Sequence, residues 1–239
     1  MKTLLALGAL TQEAADFLKV LVLSRYNIFI SGGTGSGKTT FLNALSAFIP
    51  ESERIITIED SAELQLRDVE NLVRMETRNS NVEGENAITI RDLIKASLRM
   101  RPDRVIVGEV RDSAAIDMLT AMNTGHDGSL STGHANSAYD MITRLESMVL
   151  MGIELPMEAV RRQIASAVDI IIHLGRLRDG SRKETEICEV TGIENGQVQL
   201  MSLYEFEEQA EKGRKTVQGH LKKKAALQNK EKLKRAGLE

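Results

Sequence analysis

The sequence of 239 residues lacks tryptophan, contains a single cysteine and three prolines, and is only 3% aromatic. The lone Cys188 cannot form an intrachain disulfide and has no CxxC partner, so a reducing compartment suits it. The scarcity of aromatic rings argues against a surface on which nucleic-acid bases stack. No stretch approaches the roughly 18 uninterrupted apolar residues of a membrane span. These absences predict a soluble cytoplasmic protein that does not bind nucleic acid directly.

The first ten residues imitate a secretory signal peptide, because Lys2 precedes a short apolar run. The run stops at residues 11–13 without a small-x-small cleavage site. Thr11 instead suits the N-cap of a helix. We therefore expect this segment to belong to the folded domain.

Charge is distributed unevenly along the chain. Residues 211–239 carry ten Lys and Arg against three Glu, whereas the whole chain has a net charge of -3, so the remainder is acidic. We expect a domain over residues 1–207 and a basic tail over 208–239. The tail is either a solvated helix or frayed terminus, or a basic surface for acidic lipid, a partner protein or nucleic acid.

Short runs of β-branched residues alternate with helical patterns, which predicts an α/β fold with a mostly parallel sheet and flanking helices. A capping box begins one helix at Thr89, Pro102 ends it, Ser113 caps the next helix and Gly125 terminates that one. The predicted strands lie at 28–30, 55–58 and 105–107, with a further strand at 129–132 as an option. The predicted helices lie at 38–48, 90–100, 114–123, 139–151 and 157–167.

The pattern changes to strands after residue 168, at 169–174, 184–193 and 197–203. The last two flank Asn195–Gly196, the pair that best specifies a two-residue type I′ hairpin. The sheet is therefore expected to end in an antiparallel hairpin. The polar stretch 77–86 is expected to be a linker, and its length is typical of functional loops.

A glycine-rich motif gives the strongest chemical signal. It matches GxxxxGK[ST] between an apolar strand and a helix, the context that a phosphate-binding loop requires. Its backbone amides and helix dipole suit phosphate oxygens, Lys38 would reach the β and γ phosphates, and Thr39 would place its hydroxyl on Mg²⁺. The predicted ATP-binding residues are Gly33, Thr34, Gly35, Ser36, Gly37, Lys38, Thr39 and Thr40.

Two acidic groups follow predicted strands, at whose carboxyl ends ligands bind in parallel sheets. Glu59 and Asp60 end one strand, and Glu109 follows another. We assign Glu109 to the Mg²⁺ shell together with Thr39, and Glu59 to polarising the attacking water. The reverse division also fits, because the sequence gives no distances.

His134 lies in a glycine-rich segment that could reach the same sheet edge, where its imidazole could sense the γ phosphate. A structural role is the alternative for it and for His126, and their spacing does not suit a metal site. Seven arginines, most of which we expect to be surface or salt-bridge residues, include some that could approach phosphate. They are Arg74, Arg78, Arg91, Arg99, Arg101, Arg104 and Arg111.

Four sequence motifs, in the order in which they occur, make the chain resemble the ATPase superfamily of type II and type IV secretion systems. They are the phosphate loop, an aspartate box at 56–64, the segment ending at Glu109 and a histidine box at 133–137. The run 98–111 is especially similar to the tight-adherence (Flp) pilus assembly branch. The resemblance covers residues 8–205.

The resemblance implies a RecA-like motor core that works as a homo-hexamer, at the inner face of the cytoplasmic membrane, on inner-membrane platform proteins of a pilus or secretion system. It implies that Glu59 is the catalytic glutamate, Glu109 the Walker B acid and His134 the histidine-box residue. Two departures stand out. Family members carry an N-terminal domain that contributes arginines to the site, whereas this chain begins almost at the motor, as a truncated product or fragment would. Gly133 also replaces a bulkier residue.

Since a missing arginine finger costs about 10³ to 10⁵ in rate, nucleotide binding is a safer expectation than fast hydrolysis. Two alternatives to a pilus or secretion motor therefore remain. One is a nucleotide-binding core with little turnover, and the other is a conjugation or DNA-translocating motor.

Overall fold

Nine strands form one sheet in the computed structural model, which describes residues 1–66, 69–209 and 216–238. The strands are β1 Ile28–Gly32, β2 Arg54–Glu59, β3 Asn71–Glu76, β4 Arg104–Val107, β5 Leu130–Gly133, β6 Ile170–Arg176, β7 Arg182–Glu194, β8 Gln197–Glu208 and β9 Gly219–Lys223. The helices are α1 Lys2–Ala6, α2 Gln12–Leu23, α3 Lys38–Ser46, α4 Ile90–Ser97, α5 Ala114–Asn123, α6 Ala138–Gly152, α7 Met157–Ala167 and α8 Glu231–Ala236.

The strand order is β3-β2-β4-β5-β1-β6-β7-β8-β9. Neighbours from β3 to β6 are parallel, and neighbours from β6 to β9 are antiparallel. The predicted fold class, a mostly parallel sheet with an antiparallel C-terminal edge, is confirmed. The turn between β7 and β8 has φ of 50° at Asn195 and 72° at Gly196, as a type I′ turn requires.

Two apolar cores lie on opposite faces of the sheet, because successive strand residues point to opposite faces. Phe29 faces the core that contains α4, α5, α6 and α7. Ile28 and Ile30 face the core that contains α2 and α3, with α1 and α8 at its margin. Helices therefore cover both faces of the parallel strands. Within the described ranges, no helix has both the length and the apolar character needed to span a membrane.

Helix caps agree with the sequence at two of the three positions. The Thr11 hydroxyl accepts a hydrogen bond from the Ala14 amide, and Thr89 forms its capping box with Asp92. Ser113 occupies the predicted N-cap position of α5, but its side chain makes no capping bond, and Asp112 accepts from the Ala114 amide instead, at 2.8 Å. The helix expected over 90–100 ends earlier, at Ser97, and continues as a 3₁₀ turn over Leu98–Met100.

Three segments differ from the sequence expectations. β3 and β9 were not predicted, and the stretch expected as a linker closes on itself through an antiparallel bridge between Arg78 and Ile88. The expectation of a solvated or frayed tail is wrong for residues 217–229, where Leu221 and Leu227 are buried and the Glu189 carboxylate accepts bonds from two backbone amides. Tail residues 210–215 and 239 lie outside the described part of the chain.

Candidate active site

The phosphate loop connects β1 to α3 at the carboxyl edge of the sheet. Gly37 caps α3 with a φ of 99°, a left-handed conformation that glycine adopts without steric cost. Lys38, the first residue of α3, is only 8% exposed, and its ammonium group donates to the carbonyls of Gly32 (3.1 Å) and Gly33 (3.2 Å). Burial lowers the pKa of Lys38, and the negative charge of Glu109 opposes that shift. The loop therefore holds a partly buried cation against its own backbone.

A chain of contacts links this lysine to two neighbouring strand ends. Lys38 Nζ lies 3.4 Å from His134 Nδ1, and His134 Nε2 lies 2.7 Å from Glu109 Oε1. The second oxygen of Glu109 accepts bonds from Arg111 at 2.8 Å and 2.5 Å. Four side chains from the phosphate loop and from the segments after β4 and β5 thus contact one another in sequence.

The imidazole of His134 lies between Lys38 and Glu109 in its neutral form. Burial lowers its pKa, although the Glu109 carboxylate pulls the pKa upward. A neutral imidazole has one donor and one acceptor nitrogen. Since Lys38 has only donors, Nδ1 accepts from Lys38, and the ring proton of the neutral imidazole lies on Nε2, which is 2.7 Å from Glu109 Oε1. His134 is thereby held in one tautomer.

Glu59 is held in a different way, by the backbone that follows it. It is 5% exposed, and its Oε1 accepts bonds from the amides of Glu63 (3.0 Å) and Leu64 (2.9 Å). Burial raises the pKa of Glu59, and the two amide bonds oppose that shift. Gly108, directly after β4, packs closely against Glu59. A side chain at this position would place its Cβ only 3.0 Å from Glu59 Cγ, so the close contact requires glycine.

The two glutamates and the predicted metal-binding hydroxyl share one cavity. Its volume is about 230 Å³, which is enough for a hydrated ion. Mg²⁺ sites in proteins combine one or two carboxylates with phosphate oxygens and waters, and this donor set fits that pattern. The lining residues are Thr39, Glu59, Asp60, Ser61, Glu63, Gly108, Glu109 and Arg111.

Two further cavities border the loop. One, of about 490 Å³, lies beside Gly33, Thr34 and His134 and is lined also by Arg144 of α6. The other, of about 340 Å³, lies beside Ser36, Gly37 and Thr40. The predicted loop residues therefore face different cavities.

Sequence analysis missed Arg144, Arg182 and Glu184 as site residues. Of the seven arginines that it singled out, Arg111 contacts Glu109 in the site, whereas Arg104 is buried against Glu53 and Arg91 pairs with Asp117. His126 lies away from the loop, with Nδ1 at 3.3 Å from the Ala121 carbonyl. Arg182 and Glu184 carry no local signal, because they approach the loop only through the pairing of β7 with β6.

Comparisons with known proteins identify the family of the chain. The family model described as type II/IV secretion system protein matches residues 1–237. A putative conjugal transfer protein of Mycobacterium tuberculosis is 40% identical over 204 residues, which are 85% of this chain and 57% of that protein.

Two solved structures are similar as well. The VirB11 ATPase of the Brucella suis type IV secretion system, in complex with sulphate, aligns with a TM-score of 0.66 and 36% identity, covering 79% of this chain and 55% of that one. The pilus retraction motor PilT with bound ADP aligns with a TM-score of 0.52 and 27% identity, covering 70% and 46%. The chain thus spans about half the length of these relatives.

Proposed function

The chain belongs to the type II/IV secretion system protein family, and from that premise we propose that it is the ATP-hydrolysing motor domain of a secretion or pilus-assembly ATPase. The observation that carries the proposal is the contact chain from Lys38 through His134 to Glu109 and Arg111. It joins the cation of the phosphate loop to Glu109 at the sheet edge, so a change at the terminal phosphate would be felt at that carboxylate.

The contacts of the two glutamates support the division of their roles. Glu109 lines the same cavity as Thr39 and is linked through His134 to Lys38, so it suits the Mg²⁺ shell together with Thr39, where the ion would offset phosphate charge during transfer. The two amide bonds to Glu59 both reach Oε1, which leaves Oε2 to bind a water in the shared cavity. A raised pKa makes Glu59 the better proton acceptor. Lys38 would exchange its loop carbonyls for the β and γ phosphates.

Phosphate release by Glu59→Gln and Glu109→Gln, measured across a Mg²⁺ titration, tests this division. Removing a general base costs roughly 10² to 10⁴ in rate, so Glu59→Gln should lose turnover while its half-saturating Mg²⁺ concentration stays unchanged. Glu109→Gln should bind ATP and require more Mg²⁺. The matched control is Glu76→Gln, an exposed carboxylate that pairs with Glu59 in the sheet. Wild-type turnover in Glu59→Gln would remove that residue from the mechanism.

We further propose that the protein acts as a homo-hexamer, peripheral to the cytoplasmic membrane, on platform proteins of the tight-adherence (Flp) type. The run 98–111 supports that branch. ATP turnover per chain is measured across a protein dilution series while light scattering follows the mass of the assembly. Turnover per chain that rises with protein concentration would support active sites completed between subunits. Tight ATP binding by a monomer without turnover would favour a binding core instead.

A conjugation motor is the second candidate, since the Mycobacterium tuberculosis relative carries a conjugal transfer description. A DNA-translocating machine should respond to its substrate. Stimulation of ATP turnover by single-stranded DNA would favour this candidate, whereas unchanged turnover would favour protein export.

A further inference from the structure

A polar pair lies beside the start of the phosphate loop and has no part in the chemistry described so far. Ser31, the residue before Gly32, pairs in register with His173 of β6, and its hydroxyl oxygen lies 2.8 Å from His173 Nδ1. Two residues earlier on the same strands, Phe29 and Ile171 belong to the apolar core that contains α6. Residues two apart on a strand point to the same face. The pair therefore puts polar side chains on a face that is otherwise apolar.

The bond between the two side chains satisfies a buried hydroxyl group. Ser31 is 0% exposed, and a buried polar group is tolerated when it has a hydrogen-bond partner. The Ile172 carbonyl, at 3.4 Å from the hydroxyl oxygen, is too distant to be a strong partner. Burial lowers the pKa of His173, so its imidazole is neutral at neutral pH. A hydroxyl group both donates and accepts, so either neutral tautomer keeps the 2.8 Å bond.

Ser31 continues directly into the backbone that holds the lysine of the loop. The carbonyls of Gly32 and Gly33 accept bonds from the Lys38 ammonium group at 3.1 Å and 3.2 Å. The same backbone packs closely on β6, because a Cβ on Gly32 would lie 2.6 Å from the Leu174 carbonyl oxygen. The chain thus meets β6 at two successive positions before the loop turns. A shift of Ser31 against β6 would therefore move the carbonyls that hold Lys38.

We propose that His173 is a positioning residue, which acts through Ser31 to hold the start of the phosphate loop in the geometry that binds phosphate. The inference rests on the proposed function, since it requires that the loop bind a nucleotide. Loss of the bond should weaken phosphate binding without abolishing it, because the loop amides and Lys38 remain. The effect should be the same for any ligand that presents the same phosphates.

Dissociation constants for ATP and for tripolyphosphate, measured by calorimetry at neutral pH, test the inference. His173→Phe keeps a flat ring but removes the bond, and Ser31→Ala removes it from the other side. Each variant should bind both ligands about three- to tenfold more weakly, which is the range expected for one hydrogen bond.

Two further variants separate positioning from a general loss of structure. Because both substitutions remove the same bond, the double variant His173→Phe with Ser31→Ala should lose no more affinity than either single variant. His173→Asn places an amide group as close to the backbone as Nδ1, so it should restore both affinities to within about twofold of wild type.

The matched control is His126→Phe, which should bind both ligands as the wild type does. His126 is also half-buried, and its Nδ1 lies 3.3 Å from the Ala121 carbonyl oxygen, away from the loop. Urea unfolding of each variant is measured alongside. A purely structural role would lower the free energy of unfolding of His173→Phe and leave both affinities unchanged, and that result would overturn the inference.

Additive losses in the double variant, or an affinity of His173→Asn as low as that of His173→Phe, would overturn it as well. Failure of the wild type to bind ATP and tripolyphosphate would instead count against the proposed function.

Discussion

At one end of the loop, Lys38, His134 and Glu109 contact one another in sequence, whereas at the other end the carboxyl oxygens of Glu184 have no hydrogen-bond partner among the residues that the structure describes. The first end keeps its buried charges because each is paired with an opposite charge or a hydrogen-bond partner. The second end keeps its carboxyl group by suppressing ionisation. One end holds charged groups in contact, and the other holds a buried carboxyl group in its neutral form.

The largest expected effect concerns stability at the unpaired end. Burial raises the pKa of Glu184 to about 8 in the folded chain from its usual 4.5, so the folded state retains a proton that the unfolded chain loses. This stabilisation is complete below the unfolded pKa and is lost as pH rises to about 8. Glu184→Gln removes the titration. We expect its free energy of unfolding, relative to wild type, to increase by about 4 kcal/mol between pH 5 and pH 8.

Urea unfolding at each pH measures this difference. Among the described residues, Tyr204 of β8, whose hydroxyl bonds Glu13 of α2, interacts electrostatically with Glu184. The pKa of Tyr204 is raised to about 12, so it stays neutral over this range. A constant difference between the two proteins would show that Glu184 is ionised in the folded chain.

The second prediction concerns a substitution at the paired end of the loop, where Lys38 contacts His134. Lys38→Ala removes the cation that we propose for the terminal phosphates and also leaves His134 Nδ1 without its donor. We expect ATP affinity to fall at least about 100-fold, because charge-assisted phosphate contacts are among the stronger hydrogen bonds. The matched control is Lys19→Ala, an exposed lysine on α2. Unchanged affinity of Lys38→Ala for ATP in calorimetry would place the nucleotide elsewhere.

Sequence analysis predicted the paired end and missed the unpaired one, for a physical reason. Glu59, Glu109 and His134 each follow a strand closely in sequence, and parallel strands bring their carboxyl ends to one edge. Local pattern and sheet polarity were therefore enough to bring them together. The assignment of separate roles to the two glutamates depends on contacts such as the amide bonds to Glu59. The spacing of residues along the sequence does not predict such contacts.

Glu184 lies among charged residues of β7, where alternation is typical of an exposed edge. Glu184 lies beside a register irregularity opposite His173 and Leu174, and its amide donates to the Ala9 carbonyl of the N-terminal segment. Such long-range packing leaves no trace in a local pattern. The same holds for β9, whose Leu221 is buried only because β8 offers an edge with which it pairs.

The third prediction has a smaller expected effect and concerns Arg111, the exposed residue of the paired end. Arg111 bonds Glu109, but its side chain is 62% exposed, and exposed ion pairs contribute at most about 1 kcal/mol. Arg111→Gln should therefore lower ATP turnover by about fivefold and leave ATP affinity near the wild-type value. The matched control is Arg162→Gln, whose partner Glu158 lies on the surface of α7. A loss beyond about 100-fold would instead give Arg111 direct contact with the reacting phosphate.

The smallest expected effect is a change in the pKa of His134, and it tests whether the contact chain acts as one unit. The negative charge of Glu109 stabilises the imidazolium form and so raises the pKa of His134 against the lowering effect of burial. Glu109→Gln should therefore lower that pKa further, as followed by NMR titration of the ring protons. His173, whose pKa is lowered by burial and which faces Ser31 rather than Glu109, should titrate as in the wild type. An unchanged pKa of His134 would mean that the 2.7 Å contact does not couple the two groups, and a signal from the terminal phosphate would then need another route to the second strand end.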